Sequence, residues 1–465
     1  MEAIHAIAPP GRLVRKYNCP GPRYTSYPTA PHFGSDFGPG DFLAEVERSP
    51  IGSSDALSLY VHVPFCRRLC HYCACHMIVT HRPEKVACYL DHLEKEVELV
   101  SNHAELGRPV VQVHWGGGTP TYLSPDQIER LMSVIRARFD VQPDAEISIE
   151  ADPRDLTDEH FDAARRAGFN RISFGVQDFD PDVQKAINRL QPVELVERAT
   201  RKSREVGFES ISYDLIYGLP HQTAASFERT LDQVLALGPD RISVFSYAHV
   251  PWMKKHQRLI PDAILPDPES KLEIFLLAVD RLTREDDYEY IGMDHFARPG
   301  DSLTRARNEG TLQRNFQGYS THAGGEIYGF GLSAISQTAG AYAQNELDLR
   351  SYYAATSEGR PATARGYRLT ADDQLRRHVI MELMCRGKVF PNEIEKQFEI
   401  DFRVYFADAL AALEPMEHDN LVVRTNDQIQ VTDLGRFFLR NIVMPFDKYL
   451  REATPSVEPR YSQTV

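Results

Sequence analysis

Apolar positions along this chain follow two alternating patterns from about residue 57 onward. Short runs of β-branched and aromatic residues are each followed by a polar or glycine-bearing turn and then by an apolar stripe at helical spacing. The runs that predict strands are residues 57–63, 110–115, 146–151, 171–177, 211–217 and 241–247. The stretches that predict helices, opened by a capping residue or closed by glycine, are 90–100, 124–139, 157–168, 193–207 and 223–238.

Six strand-helix units with connections of crossover length predict an α/β fold built on a parallel sheet with right-handed connections. Six units cannot close as the eight units of a full barrel do. We therefore expect an open, partial TIM-type (β/α)6 barrel, with its mouth at the carboxyl ends of the strands. An open doubly wound sheet is the alternative.

The chain of 465 residues has room for about three domains at roughly 150 residues each. Helical patterns at 265–285 and 350–359 flank an irregular stretch at 295–321. Further helices are expected to begin at Ala371, Pro391 and Phe402, before a small hairpin at 421–431. The predicted division is an N-terminal arm at 1–50, a barrel at 51–290, a linker and barrel-covering segment at 291–365 and a mainly helical C-terminal domain at 366–455.

The charge balance argues against general binding of nucleic acid. Lysine and arginine number 52 against 66 acids, which gives a net charge of −14. Residues 371–450 look like a winged helix, but they hold 14 acids against 10 lysines and arginines, a net of −4 where a DNA reader has a basic footprint. A packing or substrate-covering role is the better interpretation of that region.

No stretch of the sequence approaches the ~18 uninterrupted apolar residues of a membrane-spanning helix. The first residues also lack an apolar core long enough for a secretory signal. We expect a cytoplasmic protein that does not associate with membranes.

Four of the seven cysteines crowd into ten residues, at Cys66, Cys70, Cys73 and Cys75, while the other three are scattered. This spacing indicates metal or redox chemistry, not a disulfide framework. The cluster directly follows the first predicted strand, at the end of the barrel where catalytic groups lie.

The thiolates of Cys66, Cys70 and Cys73, spaced four and three residues apart, can converge on one cofactor. Cys75 lies only two residues after Cys73, so in an extended loop its side chain points to the opposite side. A 4Fe–4S cluster held by three cysteines keeps one iron open for a ligand. A structural zinc site is the alternative, although its four ligands are usually spread over a longer stretch.

The pattern C-x-x-x-C-x-x-C after a first barrel strand is the signature of radical S-adenosylmethionine enzymes. Over nearly its whole length the chain further resembles the oxygen-independent coproporphyrinogen III oxidase family. The segments that carry this resemblance are RYTSYPTAPHF (23–33), YVHVPFC (60–66), HWGGGTPTYL (114–123), ISIEADPR (147–154), GVQDFD (175–180), YDLIYGLP (213–220) and IGMDHFARP (291–299).

The resemblance implies an anaerobic oxidative decarboxylation in haem biosynthesis, which converts two propionates of coproporphyrinogen III to vinyls and gives protoporphyrinogen IX. It implies a 4Fe–4S cluster on Cys66, Cys70 and Cys73, whose electron cleaves S-adenosylmethionine to methionine and a 5'-deoxyadenosyl radical that takes a hydrogen from the propionate β-carbon. Two molecules of S-adenosylmethionine are implied in the pocket. The matching positions are Tyr60, Tyr72, Gly117, Gly118, Thr119, Glu150, Gln177, Arg189, Asp214, Ala248 and Ile335.

The resemblance also implies a catalytic role for Cys75, although Ala74 stands where the family commonly has glycine. The substrate carries four propionates, so the arm is interpreted as a substrate lid. Its local charge over residues 1–30 is +3, from one acid against Arg12, Arg15, Lys16 and Arg23.

The related haem chaperones are an alternative function, but they generally lack both the RYTSYPTA segment and the fourth cysteine. A radical methyltransferase acting on nucleic acid fits the charge poorly. We expect a monomer that works with an unidentified electron donor and electron acceptor and binds no nucleic acid.

Overall fold

The computed structural model describes residues 10–48, 56–105, 107–284, 288–321, 325–452 and 461–464. These residues form two compact units. The barrel unit contains the described residues from 33 to 271 and from 325 to 368, and the composite unit contains those from 10 to 32, 272 to 321 and 369 to 464. The predicted consecutive segments 1–50, 51–290, 291–365 and 366–455 differ from this division, because each of the four boundaries between the units falls inside a predicted segment.

The six predicted strands lie side by side in the barrel unit, in chain order and all parallel. Strands and helices are numbered along the whole chain. The strands of this unit are β1 (Leu57–Val63), β2 (Phe65–Cys66), β3 (Ile78–Val79), β4 (Pro109–Gly117), β5 (Asp140–Ala151), β6 (Arg171–Gln177), β7 (Ser210–Tyr217), β8 (Arg241–Ser246), β13 (Glu326–Phe330), β14 (Ile335–Gln337), β15 (Ala341–Asn345) and β16 (Thr363–Arg368).

The order β1-β4-β5-β6-β7-β8 confirms the predicted parallel partial barrel. A doubly wound sheet reverses its strand order at a switch point, and this sheet does not. Leu59, Val61 and Val63 of β1 are fully buried, as expected for a strand covered on both faces.

The sheet extends past β1 through strands that the sequence patterns missed. Strand β13 pairs in parallel with β1, and β14, β15 and β16 follow as antiparallel strands. These strands lie in a region that was predicted to be mostly linker. They escaped notice because they are only three to six residues long and runs such as AYAQN mix small and polar residues.

The helices of the barrel unit begin and end at local signals in the sequence. Ser124 accepts a hydrogen bond from the backbone N–H of Gln127 and caps α4, whereas Gly238, in the left-handed conformation, ends α8. The helices are α2 (Pro39–Glu47), α3 (Pro83–Ser101), α4 (Pro125–Arg138), α5 (Asp158–Arg166), α6 (Pro181–Ala186), α7 (Val193–Glu205), α8 (Ala224–Leu237) and α11 (Leu349–Ser357).

The composite unit contains the predicted C-terminal helices and hairpin, the latter joined by β17 into a small three-stranded sheet. The stretch 295–321, predicted to be irregular, holds β10, α10, β11 and β12. The elements are α1 (Gly11–Tyr17), α9 (Pro268–Thr283, whose first turn belongs to the barrel unit), β9 (Glu289–Gly292), β10 (His295–Ala297), α10 (Ser302–Glu309), β11 (Gln313–Asn315), β12 (Gly318–Ser320), α12 (Ala371–Arg386), β17 (Lys388–Val389), α13 (Pro391–Phe398), α14 (Phe402–Tyr405), α15 (Ala407–His418), β18 (Val422–Arg424), β19 (Ile429–Val431), α16 (Leu439–Val443) and α17 (Lys448–Glu452). No helix within the described ranges combines the length and the apolar character needed to cross a bilayer.

The described part of the N-terminal arm is divided between the two units. Residues 10–32 pack within the composite unit, where Tyr24 is fully buried and its hydroxyl donates to Asp447 Oδ2 at 3.0 Å. Lys16 pairs with Asp419 at 2.5 Å. Residues 33–48, which include α2, belong to the barrel unit. The first nine residues of the predicted arm lie outside the described residues.

Candidate active site

The cysteines lie on a loop that is closed at its base directly after β1. Strands β2 and β3 pair in parallel, with Cys66 opposite Val79. The N–H of Ile78 donates to the carbonyl of Pro64 at 2.6 Å, and the N–H of Thr80 donates to that of Cys66 at 3.1 Å. The loop therefore projects from the carboxyl end of the sheet.

Cys66, Cys70 and Cys73 lie close together on this loop, and the N–H of Cys73 donates to the carbonyl of Cys70 at 3.2 Å. The pKa of Cys66 is raised to about 12, mainly by burial and also by the neighbouring thiols of Cys73 and Cys70, while a hydrogen bond with Thr119 (Sγ to Oγ1 3.6 Å) opposes the shift. The thiol of Cys75 donates to Cys73, and this hydrogen bond lowers the pKa of Cys73 to about 7. The first three thiols converge, and the fourth lies beside them.

Two buried guanidinium groups reach the sulfur of Cys70. Arg154 Nη2 and Arg189 Nη1 each lie 3.6 Å from Cys70 Sγ. Asp152 holds both arginines, at 2.6 and 3.1 Å. Although burial alone would raise the pKa of Asp152, the charges of Arg189 and Arg154 hold it well below its usual value. Hydrogen bonds to a sulfur that binds iron help to set the reduction potential of an iron–sulfur cluster.

A short helical segment after β8 holds the other side of the cysteine loop. Gln257 is fully buried and donates through Nε2 to the carbonyls of Tyr72 (2.8 Å) and Ala248 (3.3 Å). The ring of His256 donates to the carbonyl of Cys73 at 2.7 Å. The loop is thus fixed to the end of the last barrel strand through its backbone.

Two carboxylates converge at the carboxyl end of the sheet. Glu150 in β5 lies 3.3 Å from His114 Nε2, and its side chain is 41% exposed. Asp214 in β7 accepts from Ser173 Oγ at 3.3 Å and also from Ser243. Burial, and then the charge of Glu150, raise the pKa of Asp214 to about 7. Two carboxyl groups of the same charge at one mouth provide a place for a cationic ligand.

The glycine turn at the end of β4 lies against the base of the cysteine loop. A Cβ at Gly117, whose φ is +118°, would come within 2.7 Å of the His62 ring. A Cβ at Gly118 would lie 2.6 Å from the carbonyl oxygen of Pro64. Both positions require glycine for this close approach of backbone segments.

Comparison with known proteins gives one consistent family. The sequence profile of the radical SAM superfamily matches residues 60–234, and that of the HemN C-terminal domain matches residues 369–438. The oxygen-independent coproporphyrinogen III oxidase of Escherichia coli is 50% identical over 442 residues, which is 95% of either chain. The Pseudomonas aeruginosa protein of the same name is 46% identical over 94% of this chain and 95% of its own.

This chain belongs to the oxygen-independent coproporphyrinogen III oxidase family. The crystal structure described as coproporphyrinogen III oxidase (HemN) from Escherichia coli, a radical SAM enzyme, agrees with the fold. It superposes with a TM-score of 0.90 at 47% identity and covers 96% of this chain and 100% of its own. Radical SAM family membership brings a 4Fe–4S cluster and S-adenosylmethionine with it.

The cysteine loop of this chain fits such a cluster better than a single metal ion. Within the described ranges, no three His, Cys, Asp or Glu side chains are placed to share one ion. A 4Fe–4S cluster is larger and binds each thiolate through a different iron, so its ligands need not meet at one point. The convergence of Cys66, Cys70 and Cys73 and the cationic donors on Cys70 suit that group.

The structure connects most of the predicted ligand-binding positions to the cysteine loop or to Glu150. Gln177 has a left-handed φ of 67° and follows a register shift in β6. A Cβ at Gly175 would touch both Gln177 Nε2, at 2.6 Å, and Arg189 Nη2, at 3.1 Å. A non-glycine residue held in this conformation at a strand end is typical of a functional site. Arg189, in turn, touches Cys70.

Tyr60 and Ile335 are linked through Gly329 of β13. Gly329 lies opposite Tyr60 in the sheet. A Cβ at Gly329 would lie 2.6 Å from the carbonyl oxygen of Ile335. Stacking of Tyr60 on His114, at 5.9 Å between ring centroids, connects it to Glu150. The evidence that Ile335 contacts a ligand remains the resemblance.

Several residues of this site were not predicted from the sequence. Asp152 and Arg154 lie within the ISIEADPR segment, and their position just after a strand end was an available signal. Gln257 and His256 carried no signal, because they act on backbone carbonyls of a loop more than 180 residues earlier.

Proposed function

We propose that this protein decarboxylates two propionate side chains of coproporphyrinogen III to vinyl groups without oxygen, and thereby makes protoporphyrinogen IX for haem biosynthesis. The convergence of Cys66, Cys70 and Cys73 at the carboxyl end of a radical SAM barrel is the observation that carries this proposal. Identity of 50% with a named oxidase over 95% of both chains supports the choice of substrate.

In this proposal Cys66, Cys70 and Cys73 hold the cluster. When bound, the cluster supplies the electron that splits S-adenosylmethionine into methionine and the 5'-deoxyadenosyl radical, which takes a hydrogen atom from the substrate. Arg154 and Arg189 donate to the sulfur of Cys70 and stabilise negative charge there.

The strand ends bind and orient S-adenosylmethionine. Glu150 and Asp214 provide negative charge for a cationic molecule, and the turn at Gly117 lets backbone approach it closely. The positions proposed to contact it are those carried by the resemblance, namely Tyr60, Tyr72, Gly117, Gly118, Thr119, Glu150, Gln177, Arg189, Asp214, Ala248 and Ile335. A second molecule in the pocket is part of the same proposal.

Cys75 is proposed to act in the chemical steps on the substrate and not as a cluster ligand. Part of the residue is exposed, and its pKa is raised first by the hydrogen bond to Cys73 and by burial of the thiol, and then by the charges of Cys73, Glu150 and Cys66. Its exposed surface therefore lies within the site, where the thiol can donate or accept hydrogen.

The reaction needs partners besides coproporphyrinogen III. Each decarboxylation consumes one electron for the cleavage of S-adenosylmethionine and leaves one electron on the substrate after carbon dioxide departs. A one-electron donor and an electron acceptor therefore belong to the proposal. A monomeric state and the absence of nucleic-acid binding stay predictions.

Anaerobic turnover tests this function directly. Reconstituted protein with coproporphyrinogen III, S-adenosylmethionine and a reductant should yield protoporphyrinogen IX, detected after oxidation by chromatography, with methionine and 5'-deoxyadenosine. Stoichiometric haem binding without any vinyl product would favour the haem chaperone instead.

A further inference from the structure

Five arginines of the described chain are almost completely buried, and four of them have partners for their charge or their N–H groups. Arg108 pairs with Glu326, Arg189 with Asp152 and Arg376 with Asp372. Arg440 donates to the backbone carbonyls of Gly21, Pro22, Ser462 and Gln463. Such pairing is the rule, because an isolated buried charge is costly.

Arg314 in β11 is the exception. This residue is only 6% exposed, and its side chain makes one hydrogen bond, in which Nε donates to the carbonyl of Arg23 at 3.3 Å. The guanidinium lies 4.9 Å from the centre of the Tyr319 ring. Nη1 is buried without a hydrogen-bond acceptor, and no carboxylate of the described residues pairs with Arg314. A donor of this kind is suited to an acceptor that comes from outside the protein.

The surroundings of Arg314 in the composite unit carry more positive than negative charge. The pKa of Tyr319 is raised to about 12, mainly by burial, while the charges of Arg314, Arg436 and Arg23 oppose the rise. Arg23 is neutralised by its ion pair with Asp294. Arg436 has no ion pair with any residue that the structure describes, so it and Arg314 remain uncompensated.

The arm cations predicted to meet the substrate are already engaged within the same unit. Arg12 and Lys16 pair with Asp419, and Arg23 pairs with Asp294. These contacts hold the arm in place. A cation that faces a propionate of the substrate is therefore to be sought among the other residues of the composite unit.

We propose that Arg314 binds one propionate carboxylate of the porphyrinogen substrate, with Arg436 adding favourable charge. This inference rests on the proposed function and names a carboxylate subsite for it. A carboxylate suits the site because the guanidinium offers parallel N–H donors to its two oxygens. The backbone of Arg23 and the ring of Tyr319 hold the guanidinium in place for this contact.

The test compares two porphyrins that differ only in charge. Coproporphyrin III and its tetramethyl ester are titrated against the reconstituted full-length protein, and binding is read by fluorescence. The wild type should prefer the acid. Arg314→Gln should weaken binding of the acid about tenfold or more and leave binding of the ester unchanged, since one charge-assisted contact is lost. Arg314→Lys keeps the positive charge but loses the paired N–H donors of the guanidinium. Its affinity for the acid should lie between those of the wild type and of Arg314→Gln.

The matched control is Arg440→Gln, a buried arginine of the same unit that donates to backbone carbonyls and to the hydroxyl of Ser462. It should lower the melting temperature and leave the preference for the acid over the ester unchanged. Unchanged binding of the acid by Arg314→Gln, or an equal loss with the ester, would overturn the proposal. If the affinity for S-adenosylmethionine fell instead, the carboxylate would be that of its methionine moiety, which also overturns it.

Two further readouts separate this inference from the proposed function. Cleavage of S-adenosylmethionine without substrate should be the same in Arg314→Gln and in the wild type. If the wild type discriminates acid from ester through Arg314 but forms no vinyl product, the subsite stands and the proposed reaction fails. If it forms vinyl product and Arg314→Gln binds the acid normally, the reaction stands and the subsite fails.

Discussion

A pair of charged side chains at each end of the barrel sheet is balanced in a different way. At the amino end, Arg108 and Glu326 form an ion pair at 2.6 Å, with side chains 4% and 6% exposed, and the N–H of Ala339 donates to the second oxygen of Glu326 at 2.8 Å. At the carboxyl end, Glu150 and Asp214 carry charges of the same sign, and the pKa of Asp214 is raised to about 7. The pair at the amino end satisfies its own charges and stabilises the fold, whereas Glu150 and Asp214 at the carboxyl end leave charge to be balanced by a ligand.

The largest expected effect is at the carboxyl end, where Cys70→Ser should abolish the iron–sulfur spectrum and all cleavage of S-adenosylmethionine. The thermal stability of the metal-free protein should change little, because the thiol holds a cofactor and not the fold. The matched control is Cys88→Ser, an exposed cysteine on α3 that should retain the full spectrum. Retention of the cluster by Cys70→Ser would remove that residue from the ligand set.

Cys75→Ser should separate the cluster from the reaction. The three ligands remain, so the 4Fe–4S spectrum should persist, while formation of protoporphyrinogen IX is lost because the thiol beside the radical source is missing. Absorption spectra and chromatography of products measure the two effects. Near-normal turnover would falsify a catalytic role, and loss of the cluster would make Cys75 a ligand.

At the amino end, Arg108→Ala should destabilise the protein by about 3–5 kcal/mol, because it leaves Glu326 buried without its partner. Urea unfolding measures the loss. The fraction that remains folded should bind the cluster and cleave S-adenosylmethionine at the rate of the wild type. A stable variant with impaired cleavage would contradict the division of roles between the two ends.

Asp214→Asn should have the smallest effect, and it should fall on binding. Loss of a charge-assisted hydrogen bond should weaken S-adenosylmethionine binding by roughly 1.5–3 kcal/mol, measured by calorimetry, with the cluster spectrum intact. The stability of the ligand-free protein should not fall, since the substitution removes a carboxyl group whose ionised form burial disfavours. Unchanged affinity would assign Asp214 a structural role.

The same carboxyl predicts a pH dependence with a definite sign. The pKa of Asp214 in the folded protein is about 7, above its ordinary value of 3.8, so the ligand-free protein should lose stability as the pH rises through that interval. Binding of cationic S-adenosylmethionine needs the ionised form and should weaken as the pH falls below about 7. Asp214→Asn should remove both trends.

The sequence predicts the barrel and its cysteine loop well because both depend on local patterns. Strand β1 and strand β6 have the bounds that their apolar runs predict. The cysteine spacing predicts three cluster ligands on one loop, and this remains a prediction. The added strands β13 to β16 could not be predicted, because their burial comes from pairing beside β1 and not from their own short patterns. Arg314 could not be predicted for a similar reason. A buried arginine N–H group without a hydrogen-bond acceptor can be recognised only when the positions of its neighbours are known.

The most direct test of the account is a Mössbauer spectrum of protein reconstituted anaerobically with ⁵⁷Fe, recorded with and without S-adenosylmethionine. The account predicts a single 4Fe–4S cluster in which one iron, the one without a cysteine, changes its isomer shift when S-adenosylmethionine is added. A cluster whose irons are all unaffected by S-adenosylmethionine, or a protein that retains only zinc, would contradict the claim that the carboxyl end of this barrel holds a three-cysteine catalytic cluster.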